Sequence, residues 1–347
     1  MDKIIKKPRV TVLMPVYNGG AYLKAAIDSI LDQTFSDFEF LIIEDGSTDD
    51  SAATIRSYSD RRITVLSNGE NRGLVCSLNR GIENAKGDYI ARMDSDDISL
   101  PDRLQRQVIF MDGNPDIGLC GSWIETMGEI SGYINKYPSD HEDIKANLLF
   151  NTSLAHPTVM IRRSVLEENN LRYDESHRFY YEDYGLWIKI SRVTKMANIP
   201  QVLLRYRLYK KSFSRAYAEE NKTGADALRR MQLASLGLNP SDEEIILHNS
   251  LQPRSGEPVQ GFLDKEAAWL LKIIDANKRS RIYKDRSLEK TIYGRWRTVC
   301  GFNAAKDLTA WRAFISSPLF SLGGWRRCFH SLKIFAKCSL SYGRRIF

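Results

Sequence analysis

The sequence has few of the residues that build crosslinked or zinc-binding domains. Its 347 residues include five cysteines and five histidines, and the cysteines stand apart without a CxxC pair. A disulfide framework or a structural zinc site needs Cys or His at close, regular spacing, so both are excluded. We expect Cys76, Cys120, Cys300, Cys328 and Cys338 to be reduced packing residues.

Long apolar runs are also missing. No uninterrupted apolar stretch reaches the roughly 18 residues that a membrane-spanning helix needs. Residues 1–18 contain a short apolar run after several lysines and no small-residue cleavage site, which is typical of a first strand rather than of a signal peptide. We therefore expect a folded, cytoplasmic protein without a spanning helix.

The chain is long enough for one sizeable domain and an appendage, and its charge is unevenly distributed. Residues 278–347 carry 16 Lys and Arg against 3 Asp and Glu, a local net charge of +13, while the remaining residues sum to −6. Such a basic block can meet nucleic acid, acidic phospholipid or only water. From the change in composition we predict a catalytic domain over 1–215 and a basic, mainly helical region over 216–347.

The first hundred residues alternate between apolar runs and helical periodicity. We predict strands over Val10–Val16, Phe38–Ile43, Ile63–Leu66 and Asp88–Met93, with helices over Leu74–Ala85 and from about Ser99 and Pro101 to Asp112. Strands that alternate with helices predict an α/β fold with a mostly parallel, Rossmann-like sheet covered on both faces. Ligands of such sheets bind beyond the carboxyl ends of the strands.

Three of these strands are followed by polar clusters: Tyr17-Asn18, Glu44-Asp45 and Asp94-Ser95-Asp96-Asp97. Neither GxGxxG nor GxxxxGK[ST] occurs, so the usual backbone cradle for phosphate is absent. A divalent cation such as Mn²⁺ or Mg²⁺ prefers carboxylate oxygens and retains places for phosphate. A solvated acidic loop is the alternative, but the position after an apolar strand, together with the other two clusters, favours a metal site.

The chain resembles the inverting family-two glycosyltransferases, which have the GT-A fold. The resemblance covers about residues 9–215 and rests on the order and spacing of seven pieces. These are Pro15-Val16-Tyr17-Asn18, Glu44 to Asp49, Asn71-Arg72-Gly73, Asn79-Arg80-Gly81, Ala85 to Ile90, Asp94 to Asp97 and Glu182-Asp183. Their conjunction is far more specific than any single piece.

The resemblance implies roles for the donor-side residues. In such enzymes the segment Pro15 to Asn18, with Tyr17, and the Asp45 side chain hold the nucleotide base, and Arg72 lies near the base or the diphosphate. Asp94 is expected at the ribose or the metal, and Asp96 at the metal that bridges the donor diphosphate. Ser95 belongs to the same nucleotide-sugar segment, and Asp97 would help to orient the sugar.

The acceptor side is implied by the Glu182-Asp183 pair. Asp183 matches the family's general base, although acids at a helix start are also favoured by the helix dipole. Glu182, His156 and Trp187 are candidate acceptor contacts, while a His beside Pro157 is more often structural. Many relatives carry His where Tyr209 stands, so the role of that position is in doubt, and Arg207 or Lys210 could supply positive charge instead.

The resemblance implies an inverting transfer of a sugar, with a UDP-sugar as the expected donor, to a hydroxyl of a glycan or lipid-linked saccharide in cell-surface polysaccharide synthesis. A metal-dependent nucleotidyltransferase is one alternative, but it would show a glycine-rich basic loop after the first strand. A non-enzymatic nucleic-acid-binding protein is another. It would carry its basic residues on the folded domain, which is acidic here, so no nucleic acid partner is expected.

The carboxyl-terminal tail mixes aromatic and basic residues. Between Trp325 and Leu340 large apolar residues recur every three or four positions, flanked by cations that include Lys333, Arg344 and Arg345. This pattern is typical of a helix lying in an anionic membrane surface, which would make the enzyme peripheral on the inner face of the cell membrane. Packing on the catalytic domain or in a homo-oligomer explains the same pattern equally well.

Overall fold

The computed structural model describes residues 7–175, 181–209, 218–252, 263–304 and 308–343. The chain forms two compact units. The first consists of Met1–Ile144 and Thr152–Gly224, and the second of Lys145–Asn151 and Ala225–Phe347. The short excursion of residues 145–151 into the second unit has no counterpart in the sequence analysis.

A nine-stranded sheet runs through the described part of the first unit. Its strands are β1 Val10–Val16, β2 Phe38–Glu44, β3 Ile63–Ser67, β4 Tyr89–Arg92, β5 Ile98–Ser99, β6 Ile117–Gly128, β7 Ile134–Asn135, β8 Met160–Arg162 and β9 Lys195–Leu208. The order is β3-β2-β1-β4-β8-β6-β9-β5, with β7 paired to β6. The strands β1 to β4 are mutually parallel, and β8 joins β4 antiparallel.

Seven α-helices in the described residues begin in this unit: α1 Leu23–Leu31, α2 Ser51–Arg56, α3 Leu74–Asn84, α4 Arg103–Gly113, α5 His141–Leu148, α6 Arg163–Glu168 and α7 Glu182–Ile190. The helix α1 buries Leu23, Ala26, Ile27 and Ile30, one stripe at the spacing of a single helix face. All seven residues of β1 are buried, as expected of a strand covered on both faces. The predicted α/β class is confirmed.

The sheet edge near residue 99 differs from the sequence prediction. Ile98 and Ser99 pair antiparallel with Arg205 and Leu204 of β9, and the helix that was expected to start at Ser99 begins at Arg103. The sequence pattern does not predict β9 itself, because Pro200 and several charged residues interrupt the apolar pattern of this strand. The strand matters because it carries Arg207 to the end of β4.

The described secondary structure of the second unit consists of helices joined by loops. Its helices are α8 Ala218–Ser235, α9 Asp242–Ser250, α10 Leu263–Ser280, α11 Asp285–Asn303, α12 Thr309–Ser316 and α13 Arg327–Gly343. Trp269, Trp296 and Phe314 are buried in its core. Ser241 and Glu244 form a capping box at the start of α9. Among the described residues, no helix has both the length and the apolar character needed to cross a bilayer.

The turn after β2 generates a testable prediction. Gly46 has φ 70°, and a Cβ there would lie 2.4 Å from the Glu70 carbonyl carbon. Gly69 has φ 78°, but its Cβ would meet nothing within 4 Å. Gly69→Ala should therefore lose about 1 kcal/mol of unfolding free energy from backbone strain alone, and Gly46→Ala about 2 kcal/mol more. Urea denaturation measures both, and equal losses would contradict the close approach of these two loops.

Candidate active site

The loops after β1 and β2 are tied together by side chain to backbone hydrogen bonds. Asn18 adopts a left-handed conformation with φ 51°, which Asn tolerates better than most residues. Its backbone N donates to Ser47 Oγ at 3.1 Å, and its Oδ1 accepts from the Thr48 amide at 2.8 Å. Asn18 is itself exposed, and so is the neighbouring Tyr17, whereas Pro15 is buried within β1. The two loops form one rigid rim beyond the strand ends.

The buried carboxylate of Asp45 anchors the loop that follows β3. It accepts hydrogen bonds from Asn68 Nδ2 at 2.6 Å, from the Arg72 amide at 3.0 Å and from the Gly73 amide at 2.9 Å. These contacts fix the backbone of residues 68–73 and leave the Arg72 side chain more than half exposed. Asp45 therefore shapes this rim whether or not it also contacts a ligand.

An acidic cluster follows β4. One carboxylate oxygen from each of Asp94, Asp96 and Asp97 lies within 4.8 Å of the others. Burial and the Asp94 charge raise the pKa of Asp96 to about 6, and burial with both neighbours raises that of Asp97 well above its ordinary value. Asp97 Oδ2 is buried without a hydrogen-bond partner in the described residues. Three crowded carboxylates, one of which retains an unpartnered oxygen, fit a hard divalent cation such as Mn²⁺ or Mg²⁺.

The end of β9 closes over this cluster. The Arg207 amide donates to Asp97 Oδ1 at 2.8 Å, and its guanidinium Nε donates to the Asp96 carbonyl at 2.8 Å. The guanidinium carbon of Arg207 also lies 4.0 Å from the centre of the Tyr22 ring, on the β1 side of the edge. The Tyr209 hydroxyl donates to Asp96 Oδ2 at 3.3 Å.

Tyr209 acts as a hydrogen-bond donor to the acidic cluster. Burial and the Asp96 carboxylate raise the pKa of the Tyr209 phenol to about 12, so its proton is retained at neutral pH. A protonated phenol is a poor ligand for a hard cation, in contrast to the His of many relatives. Lys210, the other candidate for positive charge, lies outside the described residues.

Arg92 is a site residue that the sequence analysis missed. It is buried at the end of β4 and forms an ion pair with Asp94. Burial alone would lower its pKa, but the Asp94 charge raises it, so the guanidinium stays charged. A cation inside an otherwise apolar strand, between Ala91 and Met93, is unusual, and that contrast could have identified it.

Glu182 and Asp183 begin α7 near the Arg92 guanidinium. Burial and the Asp183 charge raise the pKa of Glu182 to about 7, and burial raises the pKa of Asp183 to about 6. The Asp183 Oδ1 atom accepts from the Tyr184 amide at 2.6 Å. Tyr181, which precedes the pair, has φ 77°, a strained value for a bulky residue. The backbone is held in an unusual conformation where these carboxylates face the cavity.

His156 connects this pair to the core. Its Nδ1 lies 3.6 Å from Glu182 Oε1, and its Nε2 lies 2.8 Å from the Tyr173 hydroxyl. Burial and then the Arg92 charge lower the pKa of His156 well below its ordinary value, so the ring is neutral. Trp187 is fully buried and packs edge-on against His156, with ring centroids 5.8 Å apart. It supports the histidine and does not reach the cavity.

A cavity of about 480 Å³ gathers the central residues. Of the predicted site residues it contains Asp94, Asp96, His156, Glu182 and Asp183. Additional lining residues that the sequence did not single out are Arg92, Tyr137, Tyr181 and Tyr206. The other predicted residues do not line it: Pro15, Tyr17, Asn18, Asp45 and Arg72 belong to the neighbouring β1 to β3 rim, Ser95 is half-buried between the aspartates, and Trp187 lies behind His156.

A known family resembles the part of the chain that contains the acidic cluster. The family model described as glycosyl transferase family 2 matches residues 11–169. A Haemophilus influenzae protein, described as an uncharacterized glycosyltransferase, is 34% identical over 235 residues, which are 64% of this chain and 72% of that protein. The chain belongs to glycosyltransferase family 2. It is a glycosyltransferase.

Two further relatives, both from Escherichia coli, carry more specific names. The O-antigen biosynthesis glycosyltransferase WbnJ is 36% identical over 211 residues, 58% of this chain and 81% of WbnJ. WfgD is named a UDP-Glc:alpha-D-GlcNAc-diphosphoundecaprenol beta-1,3-glucosyltransferase. It is 30% identical over 221 residues, 63% of this chain and 85% of WfgD.

Solved structures extend the likeness of this glycosyltransferase to the fold. S. aureus TarS 1–349 in complex with UDP has a TM-score of 0.56 at 15% identity, over 97% of this chain and 91% of that one. The mannosyltransferase PcManGT from Pyrobaculum calidifontis, in complex with GDP-Man and Mn²⁺, has a TM-score of 0.50 at 16% identity, over 97% and 88%. The expected GT-A fold, with a helical region after it, is confirmed.

The raised pKa of Glu182 predicts how this glycosyltransferase responds to pH. A carboxyl whose pKa is higher in the folded state stabilises the fold at low pH, and that contribution is lost as pH rises through about 7. Relative to wild type, Glu182→Gln should gain roughly 2 kcal/mol of unfolding free energy between about pH 5 and about pH 8. Denaturation without added metal measures this, with the exposed Glu83→Gln as control. Parallel curves for wild type and Glu182→Gln would contradict the buried acid pair.

Proposed function

We propose that the protein is an inverting glycosyltransferase that moves a sugar from a UDP-sugar to a hydroxyl group of a glycan or a lipid-linked saccharide. One observation carries this proposal above the others. Asp94 and Asp96 of the acidic cluster after β4 and the Glu182-Asp183 pair at α7 line the same cavity of about 480 Å³. A metal-dependent leaving-group site and a general base then face one enclosed volume, as a single displacement requires.

Donor binding is assigned to the rim and to the acidic cluster. The base would lie along Pro15, Tyr17 and Asn18, whose loop is fixed by Ser47 and Thr48. Asp94 and Asp96 would hold a divalent cation, Mn²⁺ or Mg²⁺, with Asp97 beside them. When bound, the cation offsets the negative charge that develops on the departing diphosphate. The Arg207 guanidinium and the exposed Arg72 side chain add positive charge at the same edge.

Removal of the acceptor's hydroxyl proton is assigned to Asp183. The acceptor oxygen attacks the anomeric carbon on the face opposite the departing nucleoside diphosphate, and the Asp183 carboxylate accepts the proton of that hydroxyl. The pKa of about 6 keeps Asp183 ionised at neutral pH and still basic enough to assist. His156 contacts the neighbouring Glu182, and the Tyr173 hydroxyl in turn holds His156 in place. No covalent bond between sugar and enzyme is needed.

The class of substrate is supported by relatives. A UDP-sugar donor is favoured because the name of WfgD specifies UDP-Glc and the TarS complex contains UDP, although PcManGT binds GDP-Man. By their names, WfgD acts on a diphosphoundecaprenol-linked sugar, and WbnJ takes part in O-antigen biosynthesis. We infer an acceptor of this kind in cell-surface polysaccharide synthesis. Such an acceptor would place the enzyme at the inner face of the cell membrane.

The metal assignment predicts the behaviour of Asp96→Asn. Losing one carboxylate should leave the fold intact, because the backbone of Asp96 still accepts from Arg207. Mn²⁺-dependent UDP binding, measured by calorimetry, should weaken by about tenfold or more, in line with other metal-site changes. Asp102→Asn, an exposed acid before α4, is the matched control. Unchanged Mn²⁺-dependent affinity in Asp96→Asn would remove the assignment.

The base assignment predicts a separation of binding from turnover. Asp183→Asn should retain UDP-sugar binding and lose transfer by about 10²-fold or more. In the wild type, kcat/KM should rise with pH through about 6 and then level off, because the protonated carboxyl cannot accept a proton. Asp116→Asn, which removes an exposed acid, serves as control. Near-normal turnover of Asp183→Asn with the true acceptor would assign the base elsewhere.

A further inference from the structure

The second unit contains a basic groove between α11 and α13. Its volume is about 400 Å³, and its walls include Arg297, Phe302, His330, Lys333, Ile334 and Lys337. Three of these side chains are permanent cations at neutral pH, while Phe302 and Ile334 provide an apolar wall. We refer to this feature as the α11/α13 groove.

The cations of the α11/α13 groove have no acidic partner among the described residues. Among the described residues, Arg297, Lys333 and Lys337 form no ion pair with a carboxylate, and residues 308–343 contain neither Asp nor Glu. Burial, then the charges of Arg297 and Lys333, lower the pKa of His330, so its ring is neutral and its Nε2 lies 3.1 Å from Arg297 Nη1. Like charges gathered without an anion repel one another. A bound anion would relieve that repulsion.

The helix α13 presents an apolar stripe beside this groove. Trp325, just before the helix, and Phe329 and Leu332 within it are 82%, 56% and 67% exposed, and they are four and three residues apart. The Lys333 ammonium lies 4.5 Å from the centre of the Phe329 ring. The opposite side of α13 is buried in the unit through Ile334 and Cys338. The stripe therefore has no packing partner among the described residues, and cations lie beside it.

We propose that the α11/α13 groove binds the phosphate headgroup of an anionic phospholipid while the stripe Trp325, Phe329 and Leu332 enters the bilayer interface. Arginine and lysine are the usual partners of phosphate, and the apolar wall suits the glycerol and acyl carbons next to the headgroup. An amphipathic helix with cations beside large apolar residues is the form that lies in such an interface. The inference concerns the second unit alone and does not depend on the transferase activity.

A second copy of the chain fits this surface less well. In a two-fold symmetric contact the same patch meets itself, so Lys333 and Lys337 of each copy would approach those of the other. No acid in residues 308–343 could compensate them. An anionic bilayer supplies negative charge and an apolar layer together, which matches both halves of the surface.

The experiment uses surface substitutions in the full chain, because a deletion of the tail would also remove Leu319, Ile334 and Cys338 from the core. The groove variant combines Arg297→Gln, Lys333→Gln and Lys337→Gln. Its matched control combines Arg279→Gln, Arg281→Gln and Arg286→Gln, which remove the same charge from three exposed arginines at the end of α10, in the loop after it and at the beginning of α11. The stripe variant combines Trp325→Ser and Leu332→Ser, with the exposed Ile246→Ser of α9 as control.

Flotation is measured with vesicles of phosphatidylcholine alone and with about one third phosphatidylglycerol at low salt, where each well-placed cation strengthens binding severalfold. Wild type should float only with the anionic vesicles. The groove variant should bind about tenfold or more weakly, and its control less than about threefold. The stripe variant should weaken binding while its control does not. Inorganic phosphate should displace no more protein than sodium chloride at the same ionic strength, since phosphate cannot occupy the stripe.

Several results would overturn the proposal. Wild type that stays in solution with anionic vesicles would refute it, and so would retention of a single-stranded oligonucleotide in place of vesicles. Equal losses in the groove variant and its control would show that diffuse charge, and not the groove, attracts the bilayer. Full displacement by inorganic phosphate would assign the groove to free phosphate. Concentration-dependent dimers abolished by the stripe variant, without flotation, would assign the surface to a second copy.

Discussion

Five carboxylates lie around the buried Arg92 guanidinium at the end of β4. Their mutual repulsion is the constraint that the surrounding elements of the first unit have to offset. Asp94 pairs with Arg92, while burial raises the pKa of Asp96, Glu182 and Asp183. Such a cluster is costly in a compact protein, because each charge loses water and gains unfavourable neighbours. It persists because several elements hold its backbone. The strand β9 clamps Asp96 and Asp97 through Arg207, and His156 with Trp187 backs Glu182.

This arrangement separates residues that shape the site from residues that have free atoms for a ligand. The buried carboxylate of Asp45 is engaged with Asn68 and two backbone amides, so its first effect is to fix the rim. In contrast, Asp97 retains a buried oxygen with no partner in the described residues. Preorganisation of this kind is what a charge-stabilising site needs, since the protein does not have to rearrange as the reaction proceeds.

The two units differ in charge and in their relation to known proteins. The family model covers residues 11–169, most of which belong to the first unit, whereas the fold likeness to TarS extends over 97% of the chain. The second unit keeps a well-packed interior around Trp269, Trp296 and Phe314, so its basic surface is not the by-product of a loose tail. Within the tail segment predicted to meet a membrane, Ile334 instead packs in the core of the second unit, and the flanking Arg344 and Arg345 lie outside the described residues.

The sequence by itself determined the α/β class, the first four strands and the acidic triplet after β4, because these depend on local periodicity and on motifs in adjacent residues. Short apolar runs such as Phe38 to Ile43 are typical of strands buried on both faces, and the polar residues that follow parallel strands share one edge of the sheet. The role of Asp183 is implied by the family resemblance, and the sequence places it at a helix start.

Only the tertiary structure decided what lies around those residues. Arg92 faces Asp94 and the α7 pair, Tyr209 meets Asp96 across 113 positions, and Trp187 turns inward to His156. Each of these contacts depends on how β4, β8, β6 and β9 are ordered in the sheet, and non-local strand pairing leaves no periodic trace in the sequence. The register of β9, interrupted by Pro200 and by irregular pairing with β6, was therefore beyond sequence patterns.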